Sequence, residues 1–369
     1  MKESRKPAAP TAPEQCVNGV TVRPGAAAGE WFVSATPAPG VTPAALGREV
    51  AACLEKLGAH VVSMEIFGVP GVALADIKRA FGAVSWPVTW VTEGCSAAAP
   101  LRGMQLWAVT GVRTAPVTVD GAVVGTVFTR DGARWCRLGG LVPRDLSLPR
   151  RDQTRAVFTL MERGLEAAGL GFEDVARTWF YNHAMLEWYR EFNEVRTAFF
   201  WDHGVFDRLV PASTGIGGAN AAGAALTAGV LAVRGAQAAL VPSPLQCPAP
   251  NYGSSFSRAV EIAAGAGRFL TVSGTASIDP AGNSVFIGDM DRHVELTLDV
   301  VHAILASRGM DWKDVCRGIG YFKRLEDAPA LGRALAARGI APLPLISANT
   351  DICRDELLFE MEVDAVSAV

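Results

Sequence analysis

Cysteine and histidine occur in this chain without any of the patterns that bind metal or build disulfide frameworks. The seven cysteines (Cys16, Cys53, Cys95, Cys136, Cys247, Cys316 and Cys353) are odd in number, scattered, and contain no CxxC pair. Such spacing argues for reduced thiols and against a disulfide scaffold. The five histidines (His60, His183, His203, His293 and His302) form neither HExxH nor a Cys/His cluster, which argues against a zinc site. No apolar run reaches the roughly 18 residues of a membrane span. The net charge of -3 provides no bulk attraction to nucleic acid or to an anionic membrane. Residues 1–13 are polar and rich in proline and alanine, with no apolar h-region. They read as a disordered tail, not a secretory signal; the reduced thiols point to a cytoplasmic location.

What the chain does have is size, apolar content and internal repetition. Its 369 residues, half of them hydrophobic, suffice for two or three domains with substantial cores. The best-marked unit lies at the C-terminus. Residues 268–274 (RFLTVSG) alternate as a strand does, and 279–283 (DPAGN) read as a turn. Between Asp291 and Arg308, Val294, Leu298, Val301, Ile304 and Leu305 recur at helical spacing, with Gly309 as the stop. A strand over 316–322, a helix over 328–337 and a strand over 357–366 complete the unit.

The middle of the chain repeats the plan. Residues 134–140 (RWCRLGG) stand where 268–274 stand, 165–169 (LEAAG) match 305–309 (LASRG), and 175–177 (VAR) followed by Tyr181 match 315–317 (VCR) followed by Tyr321. Residues 211–233 run beside 344–366 without a gap. A more degraded copy opens the chain: a strand over 31–35, a helix over 46–57, a strand over 60–67, a short helix over 74–81 and a strand over 88–91. The expected division is a tail (1–13), a degenerate N-terminal unit (14–115), a middle unit (116–234), a linker (235–252) and a C-terminal unit (253–369). The expected class is α+β, with tandem βαβ units. Each unit has a face that it cannot bury alone, so three of them should close into a pseudo-trimer with ligand clefts between neighbours.

The C-terminal unit resembles the RidA/YjgF family in residues 256–260 (FSRAV), 272–274 (VSG), Asp314 and Val315, and 359–362 (FEME). The middle copy adds Phe192, Asn193 and 197–200 (TAFF). The whole length is similar, more specifically, to the chorismatases. That similarity rests on 177–181 (RTWFY), 188–189 (WY), 192–193 (FN), 211–218 (PASTGIGG), 252–258 (YGSSFSR), 273–277 (SGTAS), 307–310 (SRGM) and 353–360 (CRDELLFE), in order. It covers 130–366 well and the first hundred residues loosely. It implies the RidA-like (chorismate-mutase-like) pseudo-trimer in one chain and an activity that releases pyruvate from chorismate. The accompanying acid would be a hydroxybenzoate or a dihydroxy-cyclohexadiene carboxylate. It implies no cofactor, chorismate as the small-molecule partner, and a monomer.

Glu360 is the leading candidate for chemistry. It interrupts an apolar strand, and alternation places it with Glu362 and Leu358 on one face. A carboxyl in such a setting should have a raised pKa and keep its proton at neutral pH, which suits a general acid. The competing reading is a strand with one wet face and two solvated glutamates. The resemblance favours a catalytic Glu360 and leaves Glu362 in support. It also implies that Cys353 lines the pocket and that Ala276 is a second product-determining position, although a cysteine here also reads as a small buried hydrophobe.

A substrate with two carboxylates needs cations or backbone amides around it. Arg137, inside an apolar strand, Arg258 and Arg354 are the candidate cations. Ser213, Thr214 and Gly215 begin a glycine-rich stretch (213–218) whose amides could turn toward an anion. Its glycines do not make a dinucleotide fingerprint. Ser273 and Gly274 fall in the matched string before Ala276. Tyr252, Tyr181 and Asn193 are candidate polar groups around a ring. Two alternatives remain open: a RidA-type enamine or imine deaminase, and a metabolite-binding protein without turnover. The deaminase lacks support at residues 343–347, which contain no arginine to hold its substrate's carboxylate.

Overall fold

The computed structural model describes residues 14–16, 19–95 and 99–368. The tail expected over 1–13 lies outside them. Three units follow one another, each with its own six-stranded sheet. The first comprises β1 (Glu14–Cys16), β2 (Val20–Pro24), β3 (Glu30–Ala35), α1 (Pro43–Leu57), β4 (His60–Gly68), α2 (Pro70–Phe81), β5 (Val88–Val91) and β6 (Leu101–Val109). The second comprises β7 (Thr114–Val119), β8 (Ala122–Arg130), β9 (Ala133–Leu141), α3 (Arg150–Ala167), β10 (Val175–Asn182), α4 (Tyr189–Asp202), β11 (Ala212–Gly217) and β12 (Leu226–Arg234). The third comprises β13 (Gln237–Val241), β14 (Ala259–Ala264), β15 (Gly267–Ala276), α5 (Met290–Ser307), β16 (Val315–Phe322), α6 (Pro329–Ala337), β17 (Leu345–Asn349) and β18 (Phe359–Ala368).

The three sheets share one topology. The closing strand (β6, β12 or β18) inserts antiparallel between the strand before the first helix and the strand after it. The short strand after the second helix (β5, β11 or β17) pairs in parallel at the edge. Even an irregularity recurs. The ladder slips one residue between Val61 and Ser63, between Val175 and Arg177, and between Val315 and Arg317. The α+β, tandem-unit architecture expected from the repeats is therefore what the chain adopts.

Local sequence explains the helix ends. Thr42 caps α1 by accepting from the Ala45 amide, Pro43 opens the helix, and Gly58 at φ 61° stops it. Asp289 caps α5 through the Arg292 amide. Each helix pair packs on one face of its own sheet, giving three separate apolar cores.

The opposite faces meet in a fourth core drawn from all three units. Phe67, Tyr181 and Tyr321 occupy equivalent strand positions, four residues beyond the shared bulge, and meet there. Phe67 lies 6.1 Å from the Tyr181 ring and 6.5 Å from the Tyr321 ring, and the two hydroxyls are 3.5 Å apart. The units are thus arranged around a pseudo-threefold axis, and none completes its core alone.

Two expectations need correction. Residues 235–252 are not only a linker, because 237–241 form β13 along the edge of the third sheet, paired with β14. Residues 213–218 are not a free turn. Residues 213–217 lie in β11, and their amides are engaged: Ser213 N–H donates to Ser273 Oγ, Gly217 N–H to the Asp351 carbonyl and Gly218 N–H to the Asn182 carbonyl.

Candidate functional site

A cavity of about 480 Å³ opens between the second and third units. The second unit contributes Leu186, Glu187 and Trp188 from just before α4, Tyr189, Arg190, Asn193 and Arg196 from α4, and Ser213 and Gly215 from β11. The third contributes Gly253, Ser254, Phe256, Arg258, Gly274, Ala276, Ile278, Cys353, Arg354 and Glu360. Backbone bonds between the units hold the walls together. Ser257 N–H donates to the Pro211 carbonyl, and Gly217 N–H ties down the loop that bears Cys353. The volume suits a small organic ligand.

Alternation along β18 creates the chemistry. Phe359, Met361 and Val363 face the helices, while Glu360, Glu362 and Asp364 face the axis. Glu360 is 5 % exposed. Burial, then the nearby negative charge of Glu362, push its pKa up to about 8 against the weaker pull of Arg177 and Arg258. It is therefore a neutral acid at pH 7.

Glu362, two residues along, is in the opposite state. Burial would raise its pKa, but the Arg317 and Arg177 guanidiniums outweigh that, helped by hydrogen bonds from Thr214 and Trp179, and hold it below the usual range. Arg317 Nη2 lies 2.8 Å from Oε1, Arg177 Nη2 2.9 Å from Oε2, and Trp179 Nε1 donates at 3.1 Å. Two carboxyls with their pKa values driven apart are an acid and a fixed anion, an arrangement familiar from acid–base sites.

Several expected residues meet at this cavity: Glu360, Cys353, Arg258, Arg354, Ser213, Gly215, Gly274, Ala276 and Asn193. Burial pushes the Cys353 thiol up to about 12, so it packs as a neutral group. Arg258 is 3 % exposed and donates through Nε and Nη2 to the Cys247 carbonyl, so part of its fork is committed to the chain. Arg354 donates to Ser284 Oγ. Asn193 bonds the Tyr189 carbonyl and receives Arg196 Nη2 at 2.6 Å.

Others do not line it. Arg137 is buried elsewhere, paired with Glu65 across two units at 2.5 Å and stacked over Trp179, because its strand points it at the axis. Tyr181 is fully sequestered on the axis. Ser273 bonds the Ser257 carbonyl inside the core, and Thr214 lies behind the wall, bonded to Glu362. The Tyr252 side chain lies outside the described residues.

Sequence reasoning missed Arg196, which is 1 % exposed in the cavity wall, and Phe256 as a wall residue. Trp188 lines the cavity as well. A signal existed: Tyr189, Asn193 and Arg196 fall at i, i+4 and i+7, one face of α4. The start of α4 also presents the positive end of a helix to the cavity.

The other two clefts between units differ. Glu360 pairs across the ladder with Tyr321, Thr227 with Tyr181, and Gly103 with Phe67. The counterparts of the acid are thus threonine and glycine. A Cβ on Gly103 would lie 3.0 Å from the Ile346 side chain, which fills that cleft. In the remaining cleft Thr89 packs on β9 and accepts from the Gly140 amide at 3.0 Å. Among the described residues no group of three or more His, Cys, Asp or Glu side chains is placed to hold a metal ion.

No family model matches the chain. It is 29 % identical over 259 residues to a chorismatase of Streptomyces hygroscopicus, covering 63 % of this chain and 74 % of that protein. It is 27 % identical over 267 residues to a 3-hydroxybenzoate synthase of the same organism, covering 64 % and 75 %. Among solved structures, a chorismatase crystal structure matches with a TM-score of 0.64 at 23 % identity, over 83 % of this chain and 92 % of that one.

Proposed function

We propose that this chain, which is similar to a chorismatase and to a 3-hydroxybenzoate synthase, converts chorismate to pyruvate and a hydroxybenzoate, with Glu360 as the general acid. Chorismate's enolpyruvyl ether is electron-rich at its terminal methylene carbon. Transfer of the Glu360 proton there gives an oxocarbenium ion. The neighbouring ring hydroxyl then displaces pyruvate from the ether-bearing ring carbon, giving up its own proton and closing an epoxide. Opening of the epoxide so that the oxygen stays on that carbon, with loss of that carbon's proton, gives 3-hydroxybenzoate. Direct cleavage of the ring C–O bond with loss of the proton beside the hydroxyl gives 4-hydroxybenzoate instead. Chorismate has the composition of hydroxybenzoate plus pyruvate, so this route balances without a further reactant. The hydrolytic route consumes one water and leaves a dihydroxy-cyclohexadiene carboxylate instead.

The single observation that carries the reading is a carboxyl kept neutral at pH 7 in the wall of a cavity also lined by Arg196, Arg258 and Arg354. Those guanidiniums and the N-terminal end of α4 suit the two substrate carboxylates. The hydroxybenzoate product is favoured by the 3-hydroxybenzoate synthase relative and by the apolar character of Cys353, Ala276 and Ile278. None of these three side chains can act as a base toward water.

The test is pyruvate release from chorismate, with the aromatic products separated by chromatography. Wild type should yield pyruvate and 3-hydroxybenzoate in equal amounts, with 4-hydroxybenzoate as a candidate minor product. Glu360→Gln should lose about 10²–10⁴ in rate. A diene-diol product would assign the hydrolytic route, and undiminished release by Glu360→Gln would overturn the role of the acid.

A further inference from the structure

Thr214 belongs to the middle unit, yet its hydroxyl bears on the acid of the third. It donates to Glu362 Oε2 and accepts from Arg177 Nη2 at 2.6 Å and from the Gly274 amide at 3.0 Å. One donor and two acceptor positions are all that a hydroxyl offers, so Thr214 is fully used. It is also fully enclosed, at 1 % exposure.

Gly274 is the segment that seats the acid. It lies where β15 slips against β18, between Val272 and Thr275. A Cβ built on Gly274 would fall 2.0 Å from Glu360 Oε1, so the carboxyl rests against this piece of backbone. A single hydroxyl therefore joins the fixed anion, Glu362, to the chain that supports Glu360.

Half of this device recurs without an acid. Thr89 accepts from Gly140 at the same 3.0 Å between the first and second units. There Glu362 is replaced by Gly229 and Glu360 by Thr227, by ladder position. The threonine–amide bond is thus a clasp common to two clefts, and the third unit adds both carboxyls to it.

We propose that Thr214 is a positioning residue for Glu360, acting across the unit boundary by holding the Gly274 backbone and the Glu362 carboxylate in fixed relation. Without the hydroxyl, the Gly274 amide loses its acceptor and has the Glu360 carboxyl beside it. An N–H turned onto that carboxyl favours its ionised form. The groups facing Glu360 are otherwise unchanged: Glu362 on its own strand, Arg177 on β10, Tyr321 across the ladder on β16, Arg258 ahead of β14, and Cys353 and Arg354 from the loop before β18.

The role of Thr214 rests on the reading of Glu360 as the acid, but its test does not need activity. Titration of the Glu360 carboxyl carbon by NMR on glutamate-labelled protein, assigned with Glu360→Gln, reads the effect directly. Thr214→Val, or Thr214→Ala should the valine variant not fold, is expected to move the midpoint down by about one pH unit. Thr214→Ser, which keeps the hydroxyl, and Thr89→Val, which breaks the other clasp, should leave it in place. In turnover, Thr214→Val should lose about 10-fold or more in kcat with little change in KM, and Thr214→Ser should restore it. An unmoved midpoint in Thr214→Val and Thr214→Ala, or an equal shift in Thr214→Ser, overturns the proposal. Wild type that titrates as described but releases no pyruvate overturns the chorismate reading alone.

Discussion

Glu360 exchanges water for an enclosed site where the strongest charge acting on it, Glu362, is negative, and Arg177 and Arg258 do not outweigh the loss. The proton it keeps at pH 7 sets both reactivity and stability. Its acid form is the working form, so kcat/KM for pyruvate release should be present below the shifted pKa and fall above pH 8. A bell or plateau with an alkaline midpoint near 8, missing in Glu360→Gln, is the expected profile. The stability sign follows from the same shift. The folded pKa is raised, so the contribution of Glu360 is intact below pH 4.5 and is lost as the pH climbs through 8. Moving a carboxyl from 4.5 to about 8 corresponds to roughly 5 kcal/mol at most. Urea denaturation should show Glu360→Gln gaining on wild type across that window, with no further gain above it. Glu360 stood out in the sequence as an acid alternating with apolar residues, but Glu362 and Asp364 share its face, so alternation alone allowed a wet face and only the resemblance singled Glu360 out. Arg137 was misread for a related reason: the sequence shows a cation in an apolar strand but not its partner, Glu65, which lies 72 residues away in another unit.

Strands β10, β16 and β18 carry the charges that hold Glu362 ionised, and their value to the fold is conditional. Arg317 bridges Glu362 and Asp364 and accepts no exchange for water, being enclosed with both. Arg317→Met should cost about 3–5 kcal/mol in chemical denaturation, since it strands Asp364 without its guanidinium while Glu362 retains Arg177. Pairing it with Asp364→Leu should recover part of that loss, because removing both charges is cheaper than removing one. Elements of this kind were readable where they were long and periodic. The helices 291–308 and 328–337 and the strand 316–322 agree with α5, α6 and β16 to within a residue or two. The short edge strands β13 and β17 were not. Five residues carry little signal, and β13 sits in a stretch whose prolines and alanines imitate a linker. The glycines of β11 misled as well: they suggested amides open to an anion, whereas the tight approach of β11 to Asp351 and Tyr189 is what calls for them.

Three units in one chain do what three identical chains cannot: they let the clefts diverge. Ile346 closes one cleft over Gly103, Thr89 packs the second, and only the boundary between the second and third units combines a cavity with Glu360 among the described residues. The arrangement also makes each unit dependent on the others. The third unit turns Val260, Ile262, Phe269, Ile319, Tyr321 and Ile346 toward the axis, and its Glu362 takes one of its two guanidiniums from the second unit. Residues 235–369 expressed alone would present that apolar face and a half-neutralised carboxylate to water. Such a fragment should sediment as a trimer or larger species, or fail to stay in solution. It should also release no pyruvate at any concentration, since Tyr189, Asn193, Arg196, Ser213 and Gly215 stay behind in the second unit. A folded, monomeric fragment by analytical ultracentrifugation would show that the axial core is dispensable. Restoration of turnover by adding residues 14–234 in trans would show the opposite, that the site assembles whenever the two faces of the cleft meet.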